Sequence, residues 1–492
     1  MAVAARPPEP KSAQRPARID VPTPTGPSAG AAGPPGRGPG GSLRAFRRDP
    51  LSFLTSCARD YGDFVPLRIA LRRAVLLSHP DLVEEVLVTQ HQNFVKTPLL
   101  RRSRRLLGHG LLLSEGDFWR RQRRLMQPAF HRQRIAGYGE TMVRATERTL
   151  ATWRDGEACD IHQDMMALTL EIVCRTLFGA DISGEAAEVA AAMATAQERI
   201  NARMGSWLAL LPDTFPTPGN LAFLRAAKRL DAIIDGIIEQ RRAGAEDTGD
   251  LLSMLLDARD DDGRGMTDQQ LRDEVMTLFL AGHETTALAL SWTWYLLAQH
   301  PAVEARLHDE LRAVLCGQAP AAGDVPQLRY TEAVISEALR LYPPAWTQGR
   351  EAVRDCVIGG YPVRAGTVVV LSQWVLHRDP RFFDQPEAFM PERWTDPSAG
   401  SEPALSAGSE PALSAGKGQA LTRRLPRFAY FPFGGGPRLC IGSSFAMMEA
   451  VLLLAAIAQQ FRLALVPGQT IVPWPAITLR PKGGIHVTLH RR

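Results

Sequence analysis

The longest helical pattern in this chain of 492 residues runs from about residue 267 to residue 299. Helices in globular proteins average about 11–12 residues, so this segment is far longer than most. A buried helix of such length usually crosses the middle of a large domain. The sequence therefore predicts a large domain that is organised around one central helix.

Further helical and strand patterns accompany this segment. Helices are expected near residues 81–89, from residue 116, and near 135–154, 162–178, 186–203, 221–242, 330–341 and 443–460. Short strands are expected at 64–69, 74–77, 356–358, 367–371, 461–466 and 485–489. The fold class is therefore mainly α, or α+β, with a smaller β portion.

Two segments do not follow these patterns. Residues 1–41 are dense in Pro, Gly, Ala and Ser, so we expect a disordered leader there. The octapeptide Ser-Ala-Gly-Ser-Glu-Pro-Ala-Leu occurs twice, at 398–405 and 406–413, within a low-complexity stretch at 395–427. A repeat this short predicts an inserted surface loop and not a solenoid unit. The folded catalytic domain is expected to span residues 42–492.

Composition and charge exclude several classes of protein. Apolar residues make up 45% and charged residues 22%, which is the balance of a globular protein. The formal charge is +5, but basic runs occur only at 101–105 and 120–124, so no nucleic-acid partner is expected. Apolar stretches such as 450–458 are too short to cross a bilayer, so no membrane span is expected.

The six cysteines lack any Cys-x-x-Cys spacing. Zinc ribbons and redox pairs therefore lose support, and the low cysteine density indicates a reducing compartment. We expect a cytoplasmic protein.

The loop around Cys440 is the most informative motif. It reads Phe-Gly-Gly-Gly-Pro-Arg-Leu-Cys-Ile-Gly over residues 433–442 and leads directly into a helical pattern. Its glycines allow a tight turn whose N–H groups point at the sulfur, and the helix start adds its positive dipole end. A thiolate would be stabilised there. A Cys in a glycine-rich turn without these neighbours would more simply be a small residue.

With Phe433, Gly436, Arg438 and Gly442 at these offsets, the loop strongly resembles the cysteine-ligand loop of the cytochrome P450 family. The resemblance implies that Cys440 binds the iron of haem b, iron protoporphyrin IX, as its proximal ligand. It also implies that Phe433 packs near the sulfur and that Arg438 pairs with a haem propionate. Gly442 is expected to belong to the same cofactor site.

The hexapeptide Ala-Gly-His-Glu-Thr-Thr at 281–286 lies in the middle of the long helical pattern. Gly and Thr inside a helix each cost some tenths to about 1 kcal/mol, so the cluster predicts a locally loosened helix with room for O2. Alone it would indicate a helix crossing or a kink. Beside the cysteine loop it resembles the family's oxygen-activation motif, which implies that Glu284 and Thr285 are catalytic and relay protons.

Trp119 and Arg123 lie one helical turn apart and can present an indole N–H and a guanidinium to the same anion. A solvated basic face is the alternative. The pair resembles the family's Trp-x-x-x-Arg helix, which implies that both residues bind haem propionates, and Arg350 resembles a third propionate partner. The other arginines of this helix, at positions 120, 121 and 124, could face an acidic electron-donor protein.

Glu337 and Arg340 are three residues apart on a predicted helix, which by itself indicates an ordinary surface pair. With the later Pro-Glu-Arg-Trp at 391–394, they resemble the family's Glu-x-x-Arg and its partner arginine. The implied cluster of Glu337, Arg340 and Arg393 is a buried charge network that braces the haem-loop region.

The resemblance covers roughly residue 45 to the end of the chain. It implies the family's triangular helical fold with small β-sheets, with the haem between the long central helix and the helix after Cys440. It further implies a monooxygenase that uses O2 to hydroxylate or epoxidise a hydrophobic fatty acid, terpenoid or polyketide-like molecule. The segments that would line its pocket are largely apolar: 99–113, 204–221, 277–285, 345–348 and 472–477.

Electrons are expected from a separate ferredoxin or flavodoxin with its NAD(P)H reductase, because the chain ends soon after the family region. Two alternatives stay open. One is a haem-thiolate peroxygenase or isomerase that needs no O2, against which Glu284 and Thr285 argue. The other is a non-enzymatic haem-binding sensor, for which an extra signalling domain would be expected.

Overall fold

The computed structural model describes residues 33–34, 41–69, 72–101, 103–181, 186–203, 215, 217–243, 250–260, 262–395 and 425–492. Its helices are α1 Leu43–Arg48, α2 Pro50–Tyr61, α3 Pro80–Glu84, α4 Pro98–Arg101, α5 Arg104–Leu107, α6 Gly116–Met126, α7 Arg132–Thr152, α8 Ile161–Leu177, α9 Ala186–Arg203, α10 Pro218–Ala243, α11 Leu251–Asp257, α12 Asp268–Gln299, α13 Pro301–Leu315, α14 Arg329–Leu341, α15 Gln373–Leu376 and α16 Ser443–Gln460. Its strands are β1 Phe64–Ile69, β2 Arg72–Leu77, β3 Phe94–Lys96, β4 Ala158–Asp160, β5 Gln348–Ala352, β6 Cys356–Ile358, β7 Tyr361–Val363, β8 Val368–Leu371, β9 Phe461–Leu465, β10 Val472–Pro475, β11 Leu479–Lys482 and β12 His486–Arg491.

The expected mainly α class with small sheets is confirmed. Three sequence predictions fall wholly or mostly outside the described residues. They are the disordered leader, the repeat insertion and the pocket segment 204–221.

The predicted central helix is confirmed as α12, which has 32 residues. It begins at a capping box, in which the Thr267 hydroxyl accepts the N–H of Gln270 while the Gln270 side chain accepts the N–H of Thr267. It ends where Pro301 opens the next helix. Helices α8, α10, α14 and α16 all pack against it, and Trp292 and Trp294 are fully buried. The helix therefore forms the axis of the apolar core.

Helix α16 is the strongly apolar helix that follows Cys440. Of the helices that the structure describes, it alone is long and apolar enough to cross a membrane, and 78% of its apolar window is buried inside the protein. Its side chains pack on α7, α12 and α14. The cysteine loop is thus anchored to the core by the helix that continues from it.

A five-stranded mixed sheet lies beside the helices, in the order β1-β2-β8-β5-β3. Strands β2 and β8 are parallel, and the other pairs in this sheet are antiparallel. The pairing of β3 with β5 sets Lys96 opposite Arg350, although about 250 residues separate them in the chain. Smaller sheets join β6 to β7, β10 to β11, and β4, β12 and β9 to one another.

Two of the elements that differ from the sequence patterns lie beside Gly436 and Glu284. The helix expected near 81–89 is divided into α3 and a π-helical turn, Glu85–Thr89. The hairpin of β10 and β11 was expected only as a pocket segment, because β10 reads Val-Pro-Trp-Pro and Pro weakens any strand prediction. Both prolines of β10 lie in a two-stranded sheet, in which each strand has only one partner strand. A proline is tolerated there because the other side of the strand needs no N–H donor.

The predicted charge network around Glu337 is confirmed. The side chains of Glu337 and Arg340 are fully buried, and the carboxylate accepts Nε and Nη2 of Arg340 at 2.9 and 2.8 Å. It also accepts Nε of Arg393 at 3.0 Å and the indole N–H of Trp394 at 2.8 Å. The remaining donors of Arg340 reach backbone carbonyls at 2.6–2.9 Å, those of His377, Pro386 and Ala388. Each buried charge is therefore compensated, as burial requires.

This network is connected to the segment that enters the cysteine loop. The Tyr430 hydroxyl donates to the carbonyl of Ser336 at 3.0 Å, and its ring lies 4.5 Å from the ring of Trp394. The N–H of Phe431 donates to Nε2 of His377 at 3.0 Å. The network thus braces the chain directly ahead of the glycine-rich turn.

We expect Glu337→Ala to destabilise the fold by about 3–5 kcal/mol, because two buried guanidinium groups lose their acceptor. Equilibrium urea unfolding followed by far-UV circular dichroism measures the loss. The matched control is Asp309→Ala, which breaks an Asp–Arg pair of the same three-residue spacing whose side chains are 66% and 69% exposed. That control is expected to cost less than about 1 kcal/mol, and equal losses in the two variants would contradict the bracing role.

Candidate active site

Cys440 lies between a short 3-10 turn, Gly436–Arg438, and the start of α16. Its N–H donates to the carbonyl of Phe433 at 3.1 Å, which closes the loop. Gly436 has a φ of +66°, and a Cβ there would lie 1.9 Å from the carbonyl oxygen of Leu87. Only glycine fits this position, so the turn that presents Cys440 depends on it.

The Cys440 side chain is accessible to solvent, yet burial raises the pKa of its thiol. These observations are compatible if the sulfur faces an opening inside the protein and not the outer surface. The Gly442 N–H and the positive charge of Arg123 act in the opposite direction and lower the pKa. At Gly442 a Cβ would approach the Phe130 ring no closer than 3.8 Å, so protein neighbours alone do not require glycine there.

Helix α12 becomes accessible at the predicted oxygen-activation motif. Ala281 is exposed and Thr285 is half-buried, whereas His283, Glu284 and Thr286 are buried. The Thr285 hydroxyl donates to the carbonyl of Ala281 at 2.9 Å. The helix continues without a break through this region, so the expected loosening is limited to hydroxyls that share carbonyls with the helix ladder.

Glu284 faces a different side of α12 from Thr285, since adjacent helical residues are rotated by about 100°. Its carboxylate accepts the Thr478 hydroxyl at 2.6 Å and Nε of Arg480 at 2.7 Å, so it is held by the β10–β11 hairpin. His283 is buried with Nδ1 2.8 Å from the Phe279 carbonyl, and burial lowers its pKa. The His283 ring is thus engaged within its own helix.

The arginines predicted to meet propionates gather near the cysteine loop. Arg123 donates from Nη1 to the carbonyl of Leu439 at 3.0 Å, next to Cys440. Arg438 lies over the Trp119 ring, 3.9 Å from its centre, and pairs with Glu115. Trp119 and Arg123 lie on α6, Glu115 directly precedes that helix, and Arg438 lies in the cysteine loop. The structure therefore brings the two predicted motifs together.

Sequence reasoning missed Lys96, which joins the same group. Lys96 is buried, and burial lowers its pKa well below the usual value, with the charges of Arg350 and Arg438 lowering it further. Burial likewise lowers the pKa of Arg350 and of Arg123, and it lowers the pKa of Arg438 to about 10. We call Lys96, Arg123, Arg350 and Arg438 the cation cluster. Only the pairing of β3 with β5 reveals Lys96, since no motif surrounds it.

The cation cluster fits a haem whose iron is bound by a thiolate. Among the described residues it contains four basic side chains but one nearby carboxylate, Glu115, so protein groups do not compensate the charged form of all four. Burying unpaired cations is costly, and an anionic ligand would restore the balance. Haem supplies two propionates, and the accessible sulfur of Cys440 supplies the soft ligand that iron accepts.

Comparison with known proteins identifies the family. The sequence pattern described as Cytochrome P450 matches residues 35–488. The chain belongs to the cytochrome P450 family. It is 40% identical over 442 residues to cyclooctatin synthase of Streptomyces melanosporofaciens, which covers 89% of this chain and 91% of the relative.

Two further relatives support the same assignment. The chain is 38% identical to cyclooctat-9-en-7-ol 5-monooxygenase of Streptomyces melanosporofaciens, over 88% of this chain and 89% of the relative. It is 34% identical to pentalenene oxygenase of Streptomyces avermitilis, over 87% of this chain and 89% of the relative.

The predicted family, fold and activity are therefore confirmed. This cytochrome P450 is a monooxygenase with a haem-thiolate cofactor, and it uses a hydrophobic substrate, O2 and redox partners. The individual site residues stay predictions, and the geometry above sets out what each can do.

We expect Lys96→Met in the holoenzyme to speed haem dissociation by about tenfold, which corresponds to about 1.4 kcal/mol of lost charge compensation. Transfer of haem to excess apomyoglobin measures the rate. Lys482→Met, at an exposed position in β11, is the control and should leave the rate unchanged. A Lys96 variant that retains haem as firmly as the wild type would remove Lys96 from the cofactor site.

Proposed function

We propose that this cytochrome P450 inserts oxygen into a terpenoid hydrocarbon or alcohol, with haem b held by Cys440 and the cation cluster. The observation that carries the cofactor assignment is the accessible Cys440 near the cation cluster, in which Lys96 and Arg350 are buried and the other two members are half-buried, with one carboxylate nearby. The names of the relatives support the substrate class, since they refer to cyclooctatin, cyclooctat-9-en-7-ol and pentalenene.

Each cofactor residue has a distinct role in this proposal. Bound haem supplies the activation of O2 that oxygen insertion requires. Cys440 provides the iron ligand, and the positive charges of Arg123, Arg350, Arg438 and Lys96 compensate the propionates. Trp119 supports Arg438 through its ring, 3.9 Å from the guanidinium carbon. Phe433 accepts the Cys440 N–H, and the Gly442 N–H contributes to thiolate stability.

Thr285 and Glu284 divide proton handling between two sides of α12. The half-buried Thr285 hydroxyl lies where the helix is accessible, so it can hold a proton next to the bound reactants. Glu284 is held by Thr478 and Arg480, so it delivers a proton only when that contact opens. Thr285 is therefore the group closer to the chemistry, and Glu284 is its supply.

Electrons come from a ferredoxin or flavodoxin with its NAD(P)H reductase. Helix α6 supports this assignment because Arg120 and Arg124 are exposed on one face while Trp119 and Arg123 are half-buried on the other. An acidic donor on the exposed face would be close to the cation cluster, and opposite charges would steer its approach. Such partners are consistent with a cytoplasmic enzyme.

We expect Cys440→Ala to abolish the thiolate-type absorption of the ferrous carbon-monoxide complex, because no other ligand then replaces the sulfur. A reduced-minus-oxidised difference spectrum in carbon monoxide measures this directly. Cys316→Ala changes an exposed cysteine at the end of α13 and should leave the spectrum intact. A thiolate-type spectrum that persists in the Cys440 variant would overturn the ligand assignment.

We expect neutral terpenoids to shift the haem absorption on binding and small, highly polar compounds to leave it unchanged. Apolar side chains in the segments 345–348 and 472–477 give the physical reason, since burying apolar surface there favours an apolar ligand. A titration screen over terpenoids, fatty acids and polar metabolites tests this class. A screen in which only the polar metabolites shift the spectrum would refute it.

A further inference from the structure

Two adjacent carboxylates in the first half of α12 bind one loop. Asp273 and Glu274 are buried, at 3% and 0% exposure. Asp273 accepts the backbone N–H of His109 at 2.7 Å, and Glu274 accepts the backbone N–H of Leu111 at 2.7 Å. The loop, residues 108–113, joins α5 to the approach of α6. Alternate amides of this loop are thus tied to consecutive residues of the central helix.

The second oxygen of Glu274 connects the same loop to the cofactor side. It accepts Nε2 of Gln122 at 3.0 Å, and Gln122 is fully buried on α6. Gln122 precedes Arg123, a member of the cation cluster. One carboxylate of α12 therefore holds both the loop and the helix that carries two predicted propionate partners.

Glycines allow the loop to lie directly on α12. Gly108 has a φ of +55°, and a Cβ there would lie 2.0 Å from the carboxylate of Asp273. A Cβ at Gly110 would lie 2.1 Å from the Thr277 hydroxyl and 2.4 Å from the Asp273 carbonyl oxygen. No side chain fits between the loop and the helix, so the contact is made by backbone against helix.

The loop ends where α12 becomes accessible. Thr277, Ala281 and Thr285 recur every four residues and share one face of the helix. The loop covers Thr277, whereas Ala281 is exposed and Thr285 is half-buried. Beyond the loop, the Ser114 carbonyl accepts Nη1 of Arg438 at 2.9 Å. The loop therefore lies on the same face of α12 as Thr285, two helical turns before it, and the residue that follows the loop contacts Arg438 of the cation cluster.

We propose that Asp273 and Glu274 are positioning residues for substrate binding, which latch the loop 108–113 onto α12 and so fix one wall of the substrate chamber beside Thr285. This inference rests on the proposed function, since the chamber beside Thr285 is taken to be where the substrate is oxidised. The latch itself is a property of the loop and of two carboxylates, so it can be tested apart from any reaction.

Protonation of Glu274 affects how firmly the loop is held on α12. Burial raises the pKa of Glu274 to about 7, with the N–H of Leu111 and the amide of Gln122 lowering it and Asp273 raising it. Other charged or titratable groups lie on the surrounding elements. Arg272 pairs with Asp273 on α12, and Arg121 of α6 pairs with Asp260. His109 lies on the loop itself.

The direction of the pH dependence is set by the pKa of Glu274 in the closed loop and in the open loop. When the loop lifts, water reaches Glu274 and its pKa returns toward about 4.3. The closed loop therefore binds a proton more tightly than the open loop, so a fall in pH through 7 favours closure. Above that pH the carboxyl is ionised in both states, and closure no longer depends on pH.

The first test measures hydrogen exchange of the loop amides in the holoenzyme. Glu274→Ala removes the acceptor of the Leu111 N–H, so protection of that amide should fall by about tenfold. Asp273→Asn should reduce protection of the His109 N–H in the same way. Asp268→Asn alters an exposed carboxylate in the first turn of the same helix and should change neither amide.

The second test measures binding of farnesol, a neutral terpenoid alcohol, by its shift of the haem absorption. In the wild type, farnesol should bind about tenfold more tightly near pH 6 than near pH 8. Glu274→Gln removes the titrating group, so its affinity should be the same at both pH values. Asp273→Asn and Asp268→Asn should keep the pH dependence, because Glu274 is intact in both.

Two outcomes would overturn this proposal. One is unchanged protection of the Leu111 N–H in Glu274→Ala, and the other is a pH dependence of farnesol affinity that survives in Glu274→Gln. Gly110→Ala provides a second route, since it forces the loop off Thr277 without touching a carboxylate and should also lower Leu111 protection and farnesol affinity. All variants are expected to keep the thiolate-type carbonyl spectrum, so a failed latch leaves the monooxygenase assignment standing. If the wild type itself lacked a thiolate-type carbonyl spectrum, the proposed function would be contradicted.

Discussion

Uncompensated buried charge is the constraint that organises this enzyme. Lys96, Arg123, Arg350 and Arg438 come from four separate elements and lie close together, with Arg123 beside Cys440 and Glu115 as the nearby carboxylate. Placing cations together away from water is unfavourable unless an anion joins them. In the proposed complex the two haem propionates offset that cost, so the side chains that weaken the protein by itself would stabilise bound haem. The glycine-rich turn places the Cys440 sulfur beside Arg123 of the cation cluster.

Helix α12 carries the residues proposed for substrate positioning and for proton transfer. Its capping box and its buried apolar length make it a rigid axis. Along that axis Asp273 and Glu274 bind the loop 108–113, Thr285 lies on the accessible stretch, and Glu284 is held by the β10–β11 hairpin. One face of the helix thus carries Asp273, which binds the loop, and Thr285, whereas Glu284 faces the β10–β11 hairpin. A rigid helix keeps these elements in register in a way that separate loops could not.

Sequence patterns predicted many of the helices and strands but only some of the side-chain contacts. The bounds of α16, β1 and β6 match the predicted ranges, because alternation and helical periodicity are local properties. The cluster of Glu337, Arg340 and Arg393 was found by motif order and is confirmed as a buried network. Lys96 was missed because its partner Arg350 lies on another strand, and the engagement of Glu284 with Arg480 was missed because β10 contains two prolines.

The amino-acid sequence by itself determined the family, the central helix and the position of the cysteine loop, since each depends on spacing within a short segment. Only the tertiary structure decided which cations share one buried site, which way Glu284 faces, and which carboxylates hold the loop 108–113. The physical reason is that burial and charge compensation are summed over every neighbour in space. A residue's pKa and partners therefore depend on segments hundreds of positions away, and no local pattern contains them.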